Sequence, residues 1–187
     1  MPPADDRPNT LYLSLGSNIA PETNLPAAVK LLGELTEMVA VSSVWESQPV
    51  GFTKQANFLN AAAIVISPLS AARFKREVIR SIERQLRRVR SRNKNGPRTI
   101  DLDIILFNDD ILTLAGSRIP DPELLVRPFL ALPLAEIAPN YRHPETRQTL
   151  AELASQFVIR PEEMRVRPDI SQALKAVHPN RFLSTHH

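Results

Sequence analysis

The chain has 187 residues, 23 Lys+Arg against 20 Asp+Glu, and a hydrophobic content of 43%, which is enough for one domain with a single core. It contains no cysteine, which excludes disulfides, thiolate zinc and a cysteine nucleophile, and no apolar run approaches the roughly 20 residues of a membrane helix. Residues 1–10 lack the basic and apolar regions of a signal peptide, and the histidines (His143, His178, His186, His187) have no metal-site spacing, so a soluble cytoplasmic protein without a membrane partner is expected.

In chain order, Leu11, Leu13 and Leu15 alternate with Tyr12 and Ser14 and run into Gly16-Ser17-Asn18, a strand ending in a turn. Asn24 as cap, Pro26 in the first turn and Leu25, Val29, Leu32 and Leu35 at helical spacing predict a helix. Met38 to Trp45 reads as a strand, Pro49-Val50-Gly51 opens a polar loop, and Phe58 to Ile66 is a second extended run expected to pair antiparallel with the first. Ser67-Pro68 marks a second helix start, with Phe74, Val78, Ile82 and Leu86 along one face. After the next strand, Asn108-Asp109-Asp110 turns into a short strand at Ile111-Leu112, and Pro120 and Pro122 interrupt the chain. Arg127 to Ile137 and Thr149 to Phe157 read as short helices, the second being the last expected element. The order strand, helix, strand, strand, helix, strand implies an α+β fold, a ferredoxin-like βαββαβ sandwich with added C-terminal elements. The expected domain is 11–157, with 1–10 and the basic, proline-punctuated 158–187 as peripheral extensions.

The strand that closes this pattern is the most informative segment. In Gly96 to Phe107, GPRTIDLDIILF, Asp101 and Asp103 share one face while Ile100, Leu102, Ile104 and Leu106 point to the core. Like charges so close disfavour the ionised pair unless a cation lies between them. An all-oxygen pair that leaves coordination positions open suits Mg²⁺ shared with substrate phosphates. Arg88, Arg90, Arg92, Lys94 and Arg98 lie just upstream and suit those phosphates.

The GSN turn, NFLNAA, Glu83, GPRTIDLDIILF and RPFLALPLAEIAP together resemble the 6-hydroxymethyl-7,8-dihydropterin pyrophosphokinase family over about Leu11 to Leu153. The resemblance implies transfer of the terminal diphosphate of ATP to the pterin hydroxymethyl group in folate synthesis, with AMP leaving. It implies that Asp101 and Asp103 hold two Mg²⁺ ions, that Arg88 and Arg98 contact the triphosphate and support the transition state, that Arg90 lies on a mobile loop, and that Arg127 is another phosphate contact. Glu83 stands on the nucleotide side. Phe58 and Phe129 correspond to rings that sandwich the pterin, Asn60 to the residue reading its edge, Ser47 and Val50 to the loop completing that recognition, and Asn18 to a neighbouring turn. Three positions depart from the family pattern. Asn95 stands where many members have an aromatic residue, Asp121-Pro122 replaces a Pro-His-type element, and Arg87 replaces a small residue, usually glycine.

Blander readings remain beside these. Glu83 pairing with Arg87 one turn later would contribute about 0.2–0.5 kcal/mol, Phe58 and Phe129 are each ordinary core residues by type, and the arginines alone would suit a solvated helix face. The alternatives are a divergent non-catalytic pterin- or nucleotide-binding relative, and an RNA-binding module that the aromatic content of 5% and the acidic strand face oppose. The expected partners are ATP and a reduced pterin, with no nucleic acid, bound by a monomer.

Overall fold

The computed structural model describes residues 7–90 and 92–177. Strand β1 (Asn9–Ser17) lies near the middle of a six-stranded sheet. Helix α1 (Pro21–Leu35) leads to β2 (Glu37–Val41) and β3 (Trp45–Ser47), and β4 (Phe58–Ser67) returns antiparallel to β1, β2 and β3. Next come α2 (Ala71–Phe74), a π-helical turn at Lys75–Ile79 and α3 (Arg80–Gln85), and then β5 (Asp101–Phe107), antiparallel to β1. A hairpin of β6 (Leu112–Leu114) and β7 (Ser117–Ile119) is followed by a 3-10 turn at Pro122–Leu125, α4 (Pro128–Ile137), α5 (Leu150–Ser155), β8 (Met164–Val166) and α6 (Pro168–Val177). The sheet order is β5-β1-β4-β3-β8, with β2 also paired to β4. Among the described residues no helix is long and apolar enough to cross a membrane.

Strand alternation divides the core. Leu11, Leu13, Leu15, Ala61, Ala63, Val65, Leu102 and Ile104 pack with Leu25, Val29, Leu32, Phe74, Val78 and Ile82 on one side of the sheet. On the other side Ala62, Ile105 and Leu106 meet Leu130, Leu134, Leu150 and Leu153 of α4 and α5. Burying such side chains contributes about 1.5–3 kcal/mol each and fixes the register, because a slip of one residue would turn Asp101 and Asp103 into the first core. The outer edge of β5 is covered: Glu83 Oε1 accepts from Leu102 N–H at 3.4 Å, and Asp121 N–H donates to Ile105 O at 2.9 Å.

Several expectations are corrected. Helix α1 starts at Pro21 after a left-handed Ala20, so Pro26 lies inside it and Asn24 donates to Ile19 O at 2.6 Å instead of capping. The second helix begins at Ala71, where Ser70 Oγ accepts from Arg73 N–H, three residues after the Ser67-Pro68 signal. The Met38–Trp45 run splits into two strands at Ser42, whose Oγ takes the Ala62 N–H at 2.8 Å. The segment from 158, expected to be peripheral, is integral over much of its length. Met164–Val166 extends the sheet beside β3, and Ile170 and Leu174 of α6 are buried in the first core. Residues 1–6 and 178–187, within the two expected extensions, lie outside the described residues.

Candidate active site

On the α4 face of the sheet, a cavity of about 340 Å³ opens over the ends of β1, β4 and β5. Its floor is a consequence of register: Asp101 lies beside Gly16, which lies beside Asn60, and Asp103 lies beside Ser14 one row deeper. The backbone at Asp101 is therefore separated from that at Asn60 by two strand spacings, about 10 Å, and Asp103 lies farther off. A Cβ at Gly16 would touch Asn60 Oδ1 at 3.4 Å and the Phe58 ring at 4.0 Å, ordinary contact distances, so the glycine leaves a low point in the floor between Asp101 and Asn60. Phe129, Leu130 and Arg127 at the start of α4 form the opposite wall, and Ser47, Gln48, Val50, Lys94, Asn95, Arg98, Asp121 and Glu123 complete the rim.

The Asn60 side is neutral and internally bonded. Asn60 Nδ2 donates to Ser47 Oγ at 2.8 Å, and Phe58 carries the Arg98 guanidinium 5.8 Å from its ring centre. Asn60 Oδ1 is left beside Gly16, an acceptor at the cavity floor.

The β5 side is charged and self-paired. Asp101 accepts from Arg88 through one oxygen and from Arg98 through the other, the latter at 2.5 Å. Glu83 accepts from Arg88 at 2.5 Å and from Arg90 at 2.8 Å, so its partners are these two arginines and not Arg87. A second cleft of about 200 Å³, lined by Arg88, Arg90, Asn93 and Gly96, meets the cavity at Lys94 and Arg98. Among the described residues no cation lies within ion-pair distance of Asp103, and burial followed by the Asp101 charge pushes its carboxyl up to about 7. Burial also raises the Asp121 carboxyl, which accepts the Glu123 N–H at 2.9 Å and so caps the 3-10 turn. Arg127 pairs with Glu123 at 3.7 Å, while its buried Nε has no hydrogen-bond partner among the described residues.

The cavity thus brings together Ser47, Val50, Phe58, Asn60, Arg98, Asp101, Asp103, Arg127 and Phe129. Arg88 and Arg90 line the second cleft. Glu83 lies behind them, buried, and Asn18 lies outside both cavities. The Asn18 amide joins three segments: its Oδ1 accepts from Arg98 N–H at 2.9 Å, and its Nδ2 donates to Gln55 Oε1 at 2.8 Å and to Ala56 O at 3.1 Å. Gln55 Nε2 in turn donates to Asn95 O at 2.6 Å. Sequence reading missed Gln55, Ser14 and Glu123. Ser14 was accessible to it, because it falls on the opposite side of β1 from Leu13 and Leu15, but nothing local marks Gln55 or Glu123.

Residues 12–139 match the model of the family described as 7,8-dihydro-6-hydroxymethylpterin-pyrophosphokinase (HPPK), more than half of the chain. The chain belongs to this family. Relatives named 2-amino-4-hydroxy-6-hydroxymethyldihydropteridine pyrophosphokinase include that of Aquifex aeolicus, 35% identical over 153 residues, covering 81% of this chain and 94% of that one. The Haemophilus influenzae protein is 38% identical over 151 residues (79% and 92%), and the Bacillus subtilis protein 41% identical over 132 residues (69% and 78%). Among solved structures, wild-type Plasmodium falciparum HPPK-DHPS superimposes with a TM-score of 0.65 at 14% identity, covering 83% of this chain and 46% of that one. The chain therefore shares its fold with less than half of that longer protein.

Proposed function

We propose that the cavity, with the cleft it meets at Lys94 and Arg98, holds both substrates of an HPPK reaction, the flat pterin on the Asn60 side and the ATP phosphates on the Asp101 side, with Gly16 between them. The enzyme is an ATP-dependent pyrophosphokinase of folate biosynthesis. The alternative of a non-catalytic relative is not favoured, since the relatives are named as enzymes. The observation that carries the site reading is the shared row of Asp101, Gly16 and Asn60, with aromatic Phe58 and Phe129 on one side and arginines on the other. We read the antiparallel order β5-β1-β4-β3 with its two crossover helices as the ferredoxin-like sandwich.

In this reading Phe58 and Phe129 stack on the two faces of the pterin, Asn60 Oδ1 accepts from its edge, and Ser47 and Val50 close that side. Arg88, Arg90, Arg98 and Arg127 bind phosphate oxygens. The unpartnered Arg127 Nε is a donor waiting for an anion. Asp101 and Asp103 fit two Mg²⁺ ions by their chemistry: both are oxygen donors on one cavity wall, and Asp103 is a buried carboxyl that a dication would keep ionised. When bound, the metals neutralise the phosphate oxygens and lower the cost of charge at the attacking and leaving oxygens. The protein's own part is positioning, because diphosphoryl transfer asks for in-line alignment more than for covalent help. Glu83 orients Arg88 and Arg90, and Asn18 joins the arginine segment to the acceptor loop. The protein is proposed to act as a monomer in the cytoplasm.

A coupled assay for AMP tests the reading. Mg²⁺-dependent AMP formation is expected only when the reduced hydroxymethylpterin is present. ADP as product, or no turnover at saturating substrate, would refute it.

A further inference from the structure

The acceptor wall ends in the segment 48–57 between β3 and β4, and both ends of that segment are tied to the C-terminal part of the chain. At the first end, Gln48 N–H donates to Glu163 O at 3.3 Å and Gln48 Nε2 to Glu162 O at 3.1 Å. At the second, Asn57 Nδ2 donates to Glu46 Oε1 at 3.2 Å. The other Glu46 oxygen accepts from Arg165 Nε at 3.2 Å and Nη2 at 3.0 Å, and from Arg167 Nη1 at 3.4 Å. Glu46 itself does not line the cavity, whereas its neighbour Ser47 does, as the alternation of β3 requires. Burial alone would raise the Glu46 carboxyl, but the hydrogen bonds from Asn57, Arg165 and Arg167 outweigh it and hold the group below the ordinary glutamate range.

The anchoring segment is itself fixed in place. Met164, Arg165 and Val166 pair with Ser47, Glu46 and Trp45, Ser171 Oγ accepts the Val44 N–H at 2.8 Å, and α6 is seated through Ile170 and Leu174. The anchoring side of these contacts, Met164 to Leu174, lies beyond residue 139, where the family match ends.

We propose that residues 162–167 form a clasp that sets the acceptor side of the active site, with Glu46 as its positioning residue. The clasp holds the two ends of 48–57 at a fixed separation, and so fixes where Ser47, Val50 and Phe58 stand opposite Phe129. None of the Glu46 and Gln48 hydrogen bonds given above reaches the arginine segment 88–98. The inference rests on the reading of this cavity as the pterin site.

The test uses the full chain with Glu46→Ala, Arg165→Ala and Arg165→Lys, since Arg165 is exposed and its loss leaves the core intact. Acceptor affinity is measured with the fluorescent oxidised analogue 6-hydroxymethylpterin, ATP affinity by calorimetry, and turnover by AMP release. Glu46→Ala and Arg165→Ala should raise the acceptor KM and the pterin Kd about five- to tenfold, with kcat and the ATP KM unchanged within about twofold. Arg165→Lys, which keeps a cation beside Glu46, should recover most of the loss. A merely structural role would move acceptor and ATP binding together. Equal losses for both ligands, or wild-type acceptor KM in a folded Arg165→Ala, would overturn the clasp. If the wild-type chain itself forms AMP but does not bind the pterin probe in this cavity, the site assignment fails, and the clasp with it.

Discussion

On the β4 side of Gly16, polar groups have neutral partners on rigid strands: Asn60 bonds Ser47, and Phe58 presents a ring fixed by the register of β4 with β3. On the β5 side the wall is charged, and three of its cations are already paired, Arg88 and Arg98 with Asp101, and Arg88 and Arg90 with Glu83. A flat heterocycle entering the first side meets a surface that needs little rearrangement. On the proposed reading, phosphates and metal entering the second would trade partners, the carboxylates passing to metal and the guanidinium groups to phosphate oxygens. The arginines do for Asp101 what a bound metal would do in the proposed site, while among the described residues Asp103 has no such partner.

The hardest test of this contrast is Asp103→Asn, which should lower kcat by about a thousandfold or more if the carboxylate holds metal. The fold should not suffer. An acid whose folded pKa lies near 7 binds its proton in the folded state where the unfolded chain, at about 3.8, has released it. Its stabilising contribution is therefore present in acid and lost as pH rises through that interval. Metal-free Asp103→Asn should melt at or above the wild-type temperature at pH 8, with a flatter pH dependence. A lower melting temperature, or near-normal turnover, would place the metal elsewhere.

Arg88→Ala should do the opposite to stability. Its side chain is 11% exposed and the facing Glu83 side chain 6%, so its removal leaves a buried acid short of a partner. The expected cost is about 2–3 kcal/mol in denaturant unfolding, besides a loss of ATP affinity. On the neutral side, Phe129→Ala should weaken pterin binding about tenfold while leaving ATP binding within about twofold and stability nearly intact, since that ring is only partly buried against the α4 core. Paired titrations with pterin and with an ATP analogue would decide it. Comparable losses for both ligands would mean that the cavity is not divided as described.

What the sequence revealed, and what it hid, follows the same physical line. The period of two in TIDLDIILF places Asp101 and Asp103 on one face without any knowledge of the partner strands, because a strand's alternation is local. That Gly16 would separate them from Asn60 depends on the β5-β1-β4 register, a long-range fact. The signals at Asn24-Pro26 and Ser67-Pro68 are genuine local preferences, but α1 starts four residues earlier, after Ala20 in a left-handed conformation, and the Ser70 cap starts α2 three residues later. Strand β8 has three residues, too short for any periodicity, and exists through its pairing with β3. Gln55 and Glu46 act by joining segments far apart in the chain, which no spacing reports.

The smallest expected effect concerns how the charged side is aimed. Helix α3 ends in a Schellman motif: Arg88 N–H donates to Glu83 O at 2.9 Å and Arg87 N–H to Arg84 O at 3.1 Å, which puts Arg87 at the left-handed position with φ 56°. That backbone turn brings Arg88 back over Glu83 and Asp101, and it gives a physical ground for the small residue, usually glycine, that the family resemblance leads one to expect where this chain has Arg87. An L-residue with a Cβ is strained there, whereas glycine is not, although glycine gives the unfolded chain more freedom. Arg87→Gly should therefore stabilise the protein by about 0.5 kcal/mol, read as a higher denaturant midpoint at unchanged slope, with kcat and both KM values unaltered. If ATP affinity fell instead, the exposed Arg87 side chain would belong to the phosphate side after all, and the division between an aiming backbone and a binding Arg88 would have to be redrawn.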